Sequence, residues 1–409
     1  MQYITPPVPN NQPDDPVAGF TPCYDIAGNL LFQHSMDAGD RWILNDAAGK
    51  PMLAWNLTWD ADWVTAVAFI GSTRRVAAGN NLGQILVWEL PEKSGGDPPK
   101  AILRLDGHTN VISRLAATPD GKTLISASYD HTIRYWDPFA KPAGEAKVVL
   151  NASAIEDAER RKSNGAKVPP AQPATVGLAK AVRTLDAHKE WVVNLDLARD
   201  GSAFISGDDA GHVIVWDRAS ASISKRWTVK GWTYALALSP DKKQACVGER
   251  FPVVFDSARH AGLKLWNAAT GELQKDIAEP FKKTFLSSAA YSPDGKLLAV
   301  GRGGEIDGTN GTVALLDPAT GKRLADLTPG HLNGLTDLAF HPDGQHLAST
   351  GRDTTVRIWD TQAKKLVAEA GKPRGGQSKD WLHAVSWSAD GRWLAAADMA
   401  GVVQIWTFL

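Results

Sequence analysis

The chain has only two cysteines, Cys23 and Cys246, among 409 residues. Two distant thiols make no disulfide framework, and without a C-x-x-C pair there is no zinc or haem attachment. Both fit the role of small buried apolar groups. An excess of either charge is also missing, since 44 Lys and Arg face 45 Asp and Glu for a net charge of -1. So even a balance argues against a general binder of nucleic acid or membrane surface. No run of 18 apolar residues occurs, and the opening M-Q-Y-I-T-P-P-V-P lacks the basic-then-apolar form of an export signal. A cytoplasmic protein is expected, with a secreted form whose signal has been replaced as the alternative. Phosphate loops, nucleophile elbows and zinc motifs are missing as well, so no catalytic residue, metal or cofactor is expected.

What the sequence does contain is turn residues and tryptophan: 37 Gly, 24 Pro and 16 Trp, placed at regular intervals. The clearest interval is 330–360, reading G-H-L-N-G-L-T-D-L-A-F-H-P-D-G-Q-H-L-A-S-T-G-R-D-T-T-V-R-I-W-D. Leu335, Leu338 and Phe340 precede a Pro342-Asp343-Gly344 turn, and Val356 and Ile358 alternate with polar residues after Asp353. Alternation of this kind predicts half-buried strands, with the Asp/Gly clusters as the turns between them. Related endings occur at Trp88-Glu89, Trp136-Asp137, Trp216-Asp217, Trp266-Asn267 and Trp406, and with Leu replacing Trp at Leu44-Asn45 and Leu316-Asp317. These eight third strands are separated by 44, 48, 80, 50, 50, 43 and 47 residues. A period of 40–50 residues with four strands per unit predicts an all-β propeller.

Eight blades are expected, with seven as the alternative, over 17–57, 58–106, 107–186, 187–229, 230–278, 279–328, 329–370 and 371–409. The last unit stops after its third strand, so an N-terminal strand at residues 2–6, containing Gln2–Thr5, is expected to complete it and close the ring. The 80-residue interval holds an insertion at about 138–179, read as a mobile surface loop or a partner-docking segment. Longer connections at Glu249–Gly262 and Gly301–Gly311 are read as extended turns; the second matches no calcium-ligand series.

A finer pattern links the units. At 28, 10 and 6 residues before Trp359 stand His331, Ser349 and Asp353; before Trp136 stand His108, Ser126 and Asp130. Before Trp216 stand His188 and Ser206, with Ala210 in place of the Asp. A buried imidazole and indole N–H need partners, and recurrence in separate units argues for a structural chain rather than a catalytic triad or metal site. Over essentially its whole length the chain resembles the WD-repeat propeller family. The resemblance implies that these groups form a hydrogen-bonded tetrad locking each blade. In the units ending at Trp88 and Trp406 the corresponding residues are Asp60, Ala78 and Leu82, and Ser378, Ala396 and Ala400, so a softer, packing-held seam is expected there.

The Pro-Asp-Gly turns give a second ruler. Nine residues before each turn Asp stand Val111, Trp191, Trp232, Phe285, Gly334 and Trp381, and Trp63 is the counterpart in 58–106. Lys189, Lys230, Lys283 and Lys379 precede four of these aromatics by two residues, and strand residues two apart point the same way. Tyr129 and Arg352, in the tight turns, should share this rim. The family resemblance implies that such positions touch partners. The expected function is a non-catalytic scaffold that binds an acidic protein or peptide carrying an apolar anchor. The chain would be monomeric alone or part of a larger complex. The alternatives are a lactonase-like or quinone-dependent propeller enzyme, a glycan or small-ligand sensor, and a purely core role for the rings.

Overall fold

A computed structural model of the chain describes residues 23–24, 30–35, 39–42, 53–58, 63–92, 99–147, 175–250, 262–277, 286–303, 311–371 and 381–408. Every regular element among them is a β-strand. Seven four-stranded antiparallel units follow one another. Blade 1 runs through Val64–Phe69, Arg75–Asn80, Ile85–Glu89 and Ala101–Asp106, and blade 2 through Ile112–Ala117, Leu124–Ser128, Ile133–Trp136 and Arg183–Leu185. Blades 3, 4, 5 and 6 begin at the inner strands Val192–Leu197, Trp232–Leu238, Leu286–Tyr291 and Leu335–Phe340. Blade 7 comprises Leu382–Trp387, Trp393–Asp398 and Val402–Thr407, with Leu53–Thr58 as its outer strand.

The number of blades follows from the core. Among the described residues there are seven apolar clusters, and each joins two neighbouring blades. Val64, Trp88, Ala384 and Trp393 meet between blades 1 and 7, and Ile85, Ile112, Leu124 and Trp136 between blades 1 and 2. Phe204 packs between blades 2 and 3, Leu236 between 3 and 4, and Leu286 between 4 and 5. Trp359 packs between blades 5 and 6, and Leu382 between 6 and 7. The cluster between blades 7 and 1 completes the circuit, so the ring closes at seven and not at the favoured eight. Each blade is covered on both faces by its neighbours, so the second strands are buried almost throughout rather than half-buried. Alternation survives in outer strands such as Ala101–Asp106.

Closure uses a different segment from the expected one. Leu53–Thr58 pairs with Val402–Thr407, placing Leu57 opposite Val403 in a fully buried position. Residues 2–6 lie outside the described residues. The expected first blade at 17–57 therefore divides. Cys23–Tyr24, Leu30–Ser35 and Gly39–Trp42 form a small separate sheet, and the fourth strand serves blade 7. The physical reason is the open edge left by Val402–Thr407, which takes the outer strand that Gly39–Trp42 would otherwise have held.

The insertion after blade 2's third strand is also more than a loop. Gly144–Lys147 and Thr175–Lys180 form a hairpin, and the second of these strands runs parallel to the outer strand of blade 1, with Leu178 beside Arg104. Blade 1 thereby becomes a six-stranded sheet with its edge covered. Residues 148–174, 251–261 and 304–310, the interiors of the three expected expansions, lie outside the described residues.

Candidate interaction surface

The rim residues are carried on the hydrogen-bonded frames inside the blades. In blade 6 the indole N–H of Trp359 donates to Ser349 Oγ at 2.8 Å. Ser349 Oγ lies 2.8 Å from His331 Nε2, and His331 Nδ1 lies 2.9 Å from Asp353 Oδ1. Because a carboxylate only accepts, Nδ1 carries the proton and Nε2 receives the serine hydroxyl. Blade 2 repeats the chain through Trp136, Ser126, His108 and Asp130 at 2.8, 2.6 and 2.7 Å. Burial depresses the pKa of His108 and His331 despite their carboxylate partners. Burial opposes the charge on Asp130 and Asp353, yet hydrogen bonds from His108 or His331 and neighbouring groups hold both below the ordinary carboxylate range.

Blade 3 supplies the acid from elsewhere. Ala210 occupies the expected position, and Asp208, two residues earlier and fully buried, accepts from His188 at 2.9 Å. Its other oxygen caps the tight turn by accepting from Ala210 N and His212 N. Blades 1 and 7 place Asn80 and Asp398 at the same point, eight residues before Trp88 and Trp406, where they cap their turns in the same way. An Asp or Asn at that offset was the signal available in the sequence.

The tight turns then dock onto the start of the inner strands. Asn81, Tyr129, Asp209, Arg352 and Met399 each donate a backbone N–H to the carbonyl of Trp63, Val111, Trp191, Gly334 and Trp381, at 3.0–3.1 Å. These five positions are thus equivalent and lie on one face, here called the top. Trp63 and Trp191 are 49% and 45% exposed, which is high for indole. Trp232 and Trp381 are half-buried, and Lys189 and Lys230 are exposed. Tyr129 of blade 2 stacks on Trp191 of blade 3 at 5.0 Å and 3°. Between blades 6 and 7, the Arg352 guanidinium lies over the Trp381 ring at 4.6 Å. Trp232 meets Tyr234 at 5.9 Å. Leu82 and Leu332, exposed on the same face, were missed because a single turn leucine carries no pattern. Phe285, Lys283 and Lys379 lie outside the described residues.

The channel holds a second feature that sequence patterns did not disclose. A cavity of about 440 Å³ is lined by the inner strands. Arg114 of blade 2 forms a paired, two-point salt bridge with Asp337 of blade 6, both contacts at 2.7 Å. Asp337 also accepts from Ser288 Oγ of blade 5 and Val385 N of blade 7, so four donors occupy its two oxygens. Arg114 reaches Asn194 of blade 3 as well. Although burial opposes its charge, the Asp337 carboxylate holds the Arg114 pKa above the ordinary value. Asp196, also in the channel wall, is pushed up to about 6 by burial. With its lone pairs engaged, Asp337 acts as a strut and not as a base for catalysis.

Comparison with known families agrees with this geometry. The family model described as WD domain, G-beta repeat, matches residues 99–137, 179–217, 321–360 and 374–407. The chain is a WD-repeat protein. It is 26% identical over 355 residues to the small ribosomal subunit protein RACK1y of Oryza sativa subsp. japonica, covering 74% of this chain and 94% of that one. It is 22% identical to the ribosome biogenesis protein YTM1 of Scheffersomyces stipitis, over 79% of this chain and 59% of YTM1. Likeness to protein HIR1 of Kluyveromyces lactis is also 22%, over 82% of this chain and 40% of HIR1. The first and third matched repeats end at Trp136-Asp137 and Trp359-Asp360, where this WD-repeat chain has a complete tetrad.

Proposed function

We propose that this WD-repeat protein is a non-enzymatic interaction scaffold whose top face holds an acidic peptide or loop with an apolar anchor. The binding set would be Trp63, Trp191, Trp232, Phe285 and Trp381, with Lys189, Lys230, Lys283, Lys379, Tyr129 and Arg352. The observation that supports the reading is the 45% exposure of Trp191, an indole stacked on Tyr129, with exposed Lys189 two residues earlier in the bend before the strand. Rigid aromatic surface loses little entropy on contact, and neighbouring cations select acidic partners. Leu82 and Leu332 widen the apolar part of this face. Two relatives are named as a small ribosomal subunit protein and a ribosome biogenesis protein, and membership of a ribosomal subunit suits a scaffold reading. A cytoplasmic location, and a chain that is monomeric until it joins a complex, belong to the same proposal.

The test is selection from a displayed random peptide library on the full chain. Peptides enriched in Asp and Glu around an apolar residue are expected. Trp191→Ala with Trp232→Ala should weaken them by at least about 2 kcal/mol, or roughly thirtyfold. Thermal unfolding should move by only a few degrees. Unfolding of the double variant would assign these rings to the core, and unchanged binding would place the site elsewhere.

A further inference from the structure

We propose that His341, Asp343 and His346, in the turn joining the first two strands of blade 6, form a site for a divalent transition-metal ion of the zinc class. The turn lies at the end of the blade opposite the rim. His341 Nδ1 and His346 Nδ1 lie 2.9 and 2.7 Å from the same atom, Asp343 Oδ2, and the three ligand atoms all fall within 4.8 Å of one another. The second carboxylate oxygen, Oδ1, is committed to the turn, accepting from Gln345 N at 2.7 Å and His346 N at 3.1 Å. Oδ2 is left to the rings.

The protonation of His341 makes the arrangement more specific. Its Nε2 lies 3.0 Å from the carbonyl of Gly391, which can only accept, so Nε2 carries a proton. Its Nδ1 also receives the backbone N–H of Asp343 at 3.1 Å. Nδ1 therefore carries the ring's lone pair, which accepts the Asp343 N–H while Asp343 Oδ2 sits 2.9 Å away, and a metal ion drawn between ring and carboxylate would take that lone pair over. A backbone carbonyl on the far nitrogen is the usual way a metal-bound histidine is oriented. The ring is also fixed in place, edge-on to Trp387 at 4.7 Å and beside Phe408 at 5.2 Å. Gly391, at φ 75°, leaves no room for a Cβ against the imidazole, so the carbonyl can approach only from a glycine.

The turn itself does not require histidine. In blades 2, 4, 5 and 7 the same connection is closed by Thr118 with Asp120, Ser239 with Asp241, Ser292 with Asp294 and Ser388 with Asp390, each through a hydroxyl at 2.6–2.7 Å. The residues five positions on are Thr123, Gln244, Leu297 and Trp393. Blade 6 places imidazole at both ends. Two imidazoles and one carboxylate suit zinc, nickel or copper rather than calcium or magnesium. Zinc at roughly 2.0–2.1 Å from each ligand needs them about 3.3 Å apart, a small opening of the present cluster. The His341, Asp343 and His346 side chains are 12%, 32% and 25% exposed, so water can complete the shell.

Titration calorimetry of the full chain with zinc chloride tests the site, with His341→Ser and His346→Gln beside wild type. His341→Ser recreates the Ser–Asp pair of blades 4 and 5, so that variant should fold; His346→Gln keeps His341 and its packing. Wild type should take up one more ion per chain than either variant, with affinity at that site reduced at least about tenfold in each. Bound cobalt should give the visible absorption of a low-coordinate N/O site in wild type only. Equal stoichiometry, affinity and cobalt spectra in all three proteins would overturn the proposal, as would no zinc uptake by wild type.

Discussion

Blade 6 and blade 7 are neighbours of one shape held by different chemistry. In blade 6 the fully buried Trp359 donates to Ser349, which is tied through His331 to Asp353. In blade 7 the residue in the place of Ser349 is Ala396, and Trp406 sits with it in an apolar cluster that includes Leu382, Val385 and Leu394. Blade 1 likewise has Ala78 in that place, packed with Trp88, Trp393 and Leu57. The seam where the ring closes is thus held by apolar area, with Phe69 N donating to Ser386 Oγ and Ala389 N to the Gly71 carbonyl across it. Among the described residues, no tetrad stands on either side. The repeat therefore conserves the shape of the blade while the means of holding it varies, and truncating Trp should separate the two. Trp359→Ala should cost about 3–5 kcal/mol, read from urea unfolding. Trp359→Phe keeps most of the volume but leaves Ser349 Oγ without its indole donor, at about 1–2 kcal/mol beyond the packing loss. Trp406→Phe should lack that increment. Equal losses for the two Phe variants would show that the tetrad adds nothing to packing.

The sequence made the repeat legible because each blade needs the same turn residues and the same buried indole at fixed offsets. It also gave the partners of Trp136 and Trp359, since a hydrogen-bonded chain through fixed backbone fixes the spacing. It misled where pairing is decided by competition between distant segments. Leu53–Thr58 has the pattern of an outer strand, but nothing local says that it pairs with Val402–Thr407 instead of Gly39–Trp42. Asp208 was missed because the carboxylate moved two residues along the same turn. The Arg114–Asp337 bridge, 223 residues apart, has no periodic signal at all.

That bridge is where the two regions meet. Asp337 Oδ2 receives both Arg114 of blade 2 and the backbone N–H of Val385 in blade 7, so the locked blades hold the seam across the channel. Arg114→Ala leaves a buried carboxylate without its cation and should cost about 3–5 kcal/mol. Arg114→Met with Asp337→Leu removes both charges and should recover most of that loss, since apolar replacements of buried pairs are often neutral. Urea midpoints of the single and double variants decide it. A double variant as weak as the single would mean that the bonds to Ser288 and Val385, not the charge pair, hold the centre.

The smallest expected effect is also the most selective, because the two histidines that burial holds low belong to the tetrads of blades 2 and 6. His108 and His331 bind protons less readily in the folded chain than their ordinary value near 6.5. Below that pH the unfolded chain takes up protons that the native one refuses, so stability is complete above it and falls as pH drops from about 7 toward 5. Asp130 and Asp353, held low, extend the loss below pH 4 with the same sign. Asp196 works the other way. Raised to about 6, it is protonated in the native state first, and its stabilising contribution is lost as pH rises through 6. In wild type the two effects overlap between pH 6.5 and 5 and partly cancel. Asp196→Asn should therefore steepen the fall of the urea midpoint over that interval. His331→Gln should flatten it by about 1 kcal/mol for each pH unit over which His331 had resisted protonation. If Asp196→Asn leaves the slope unchanged, the channel carboxylate does not titrate there. If His331→Gln leaves it unchanged, the acid sensitivity does not arise in the blade 6 tetrad, and the contrast with blade 7 would rest on packing alone.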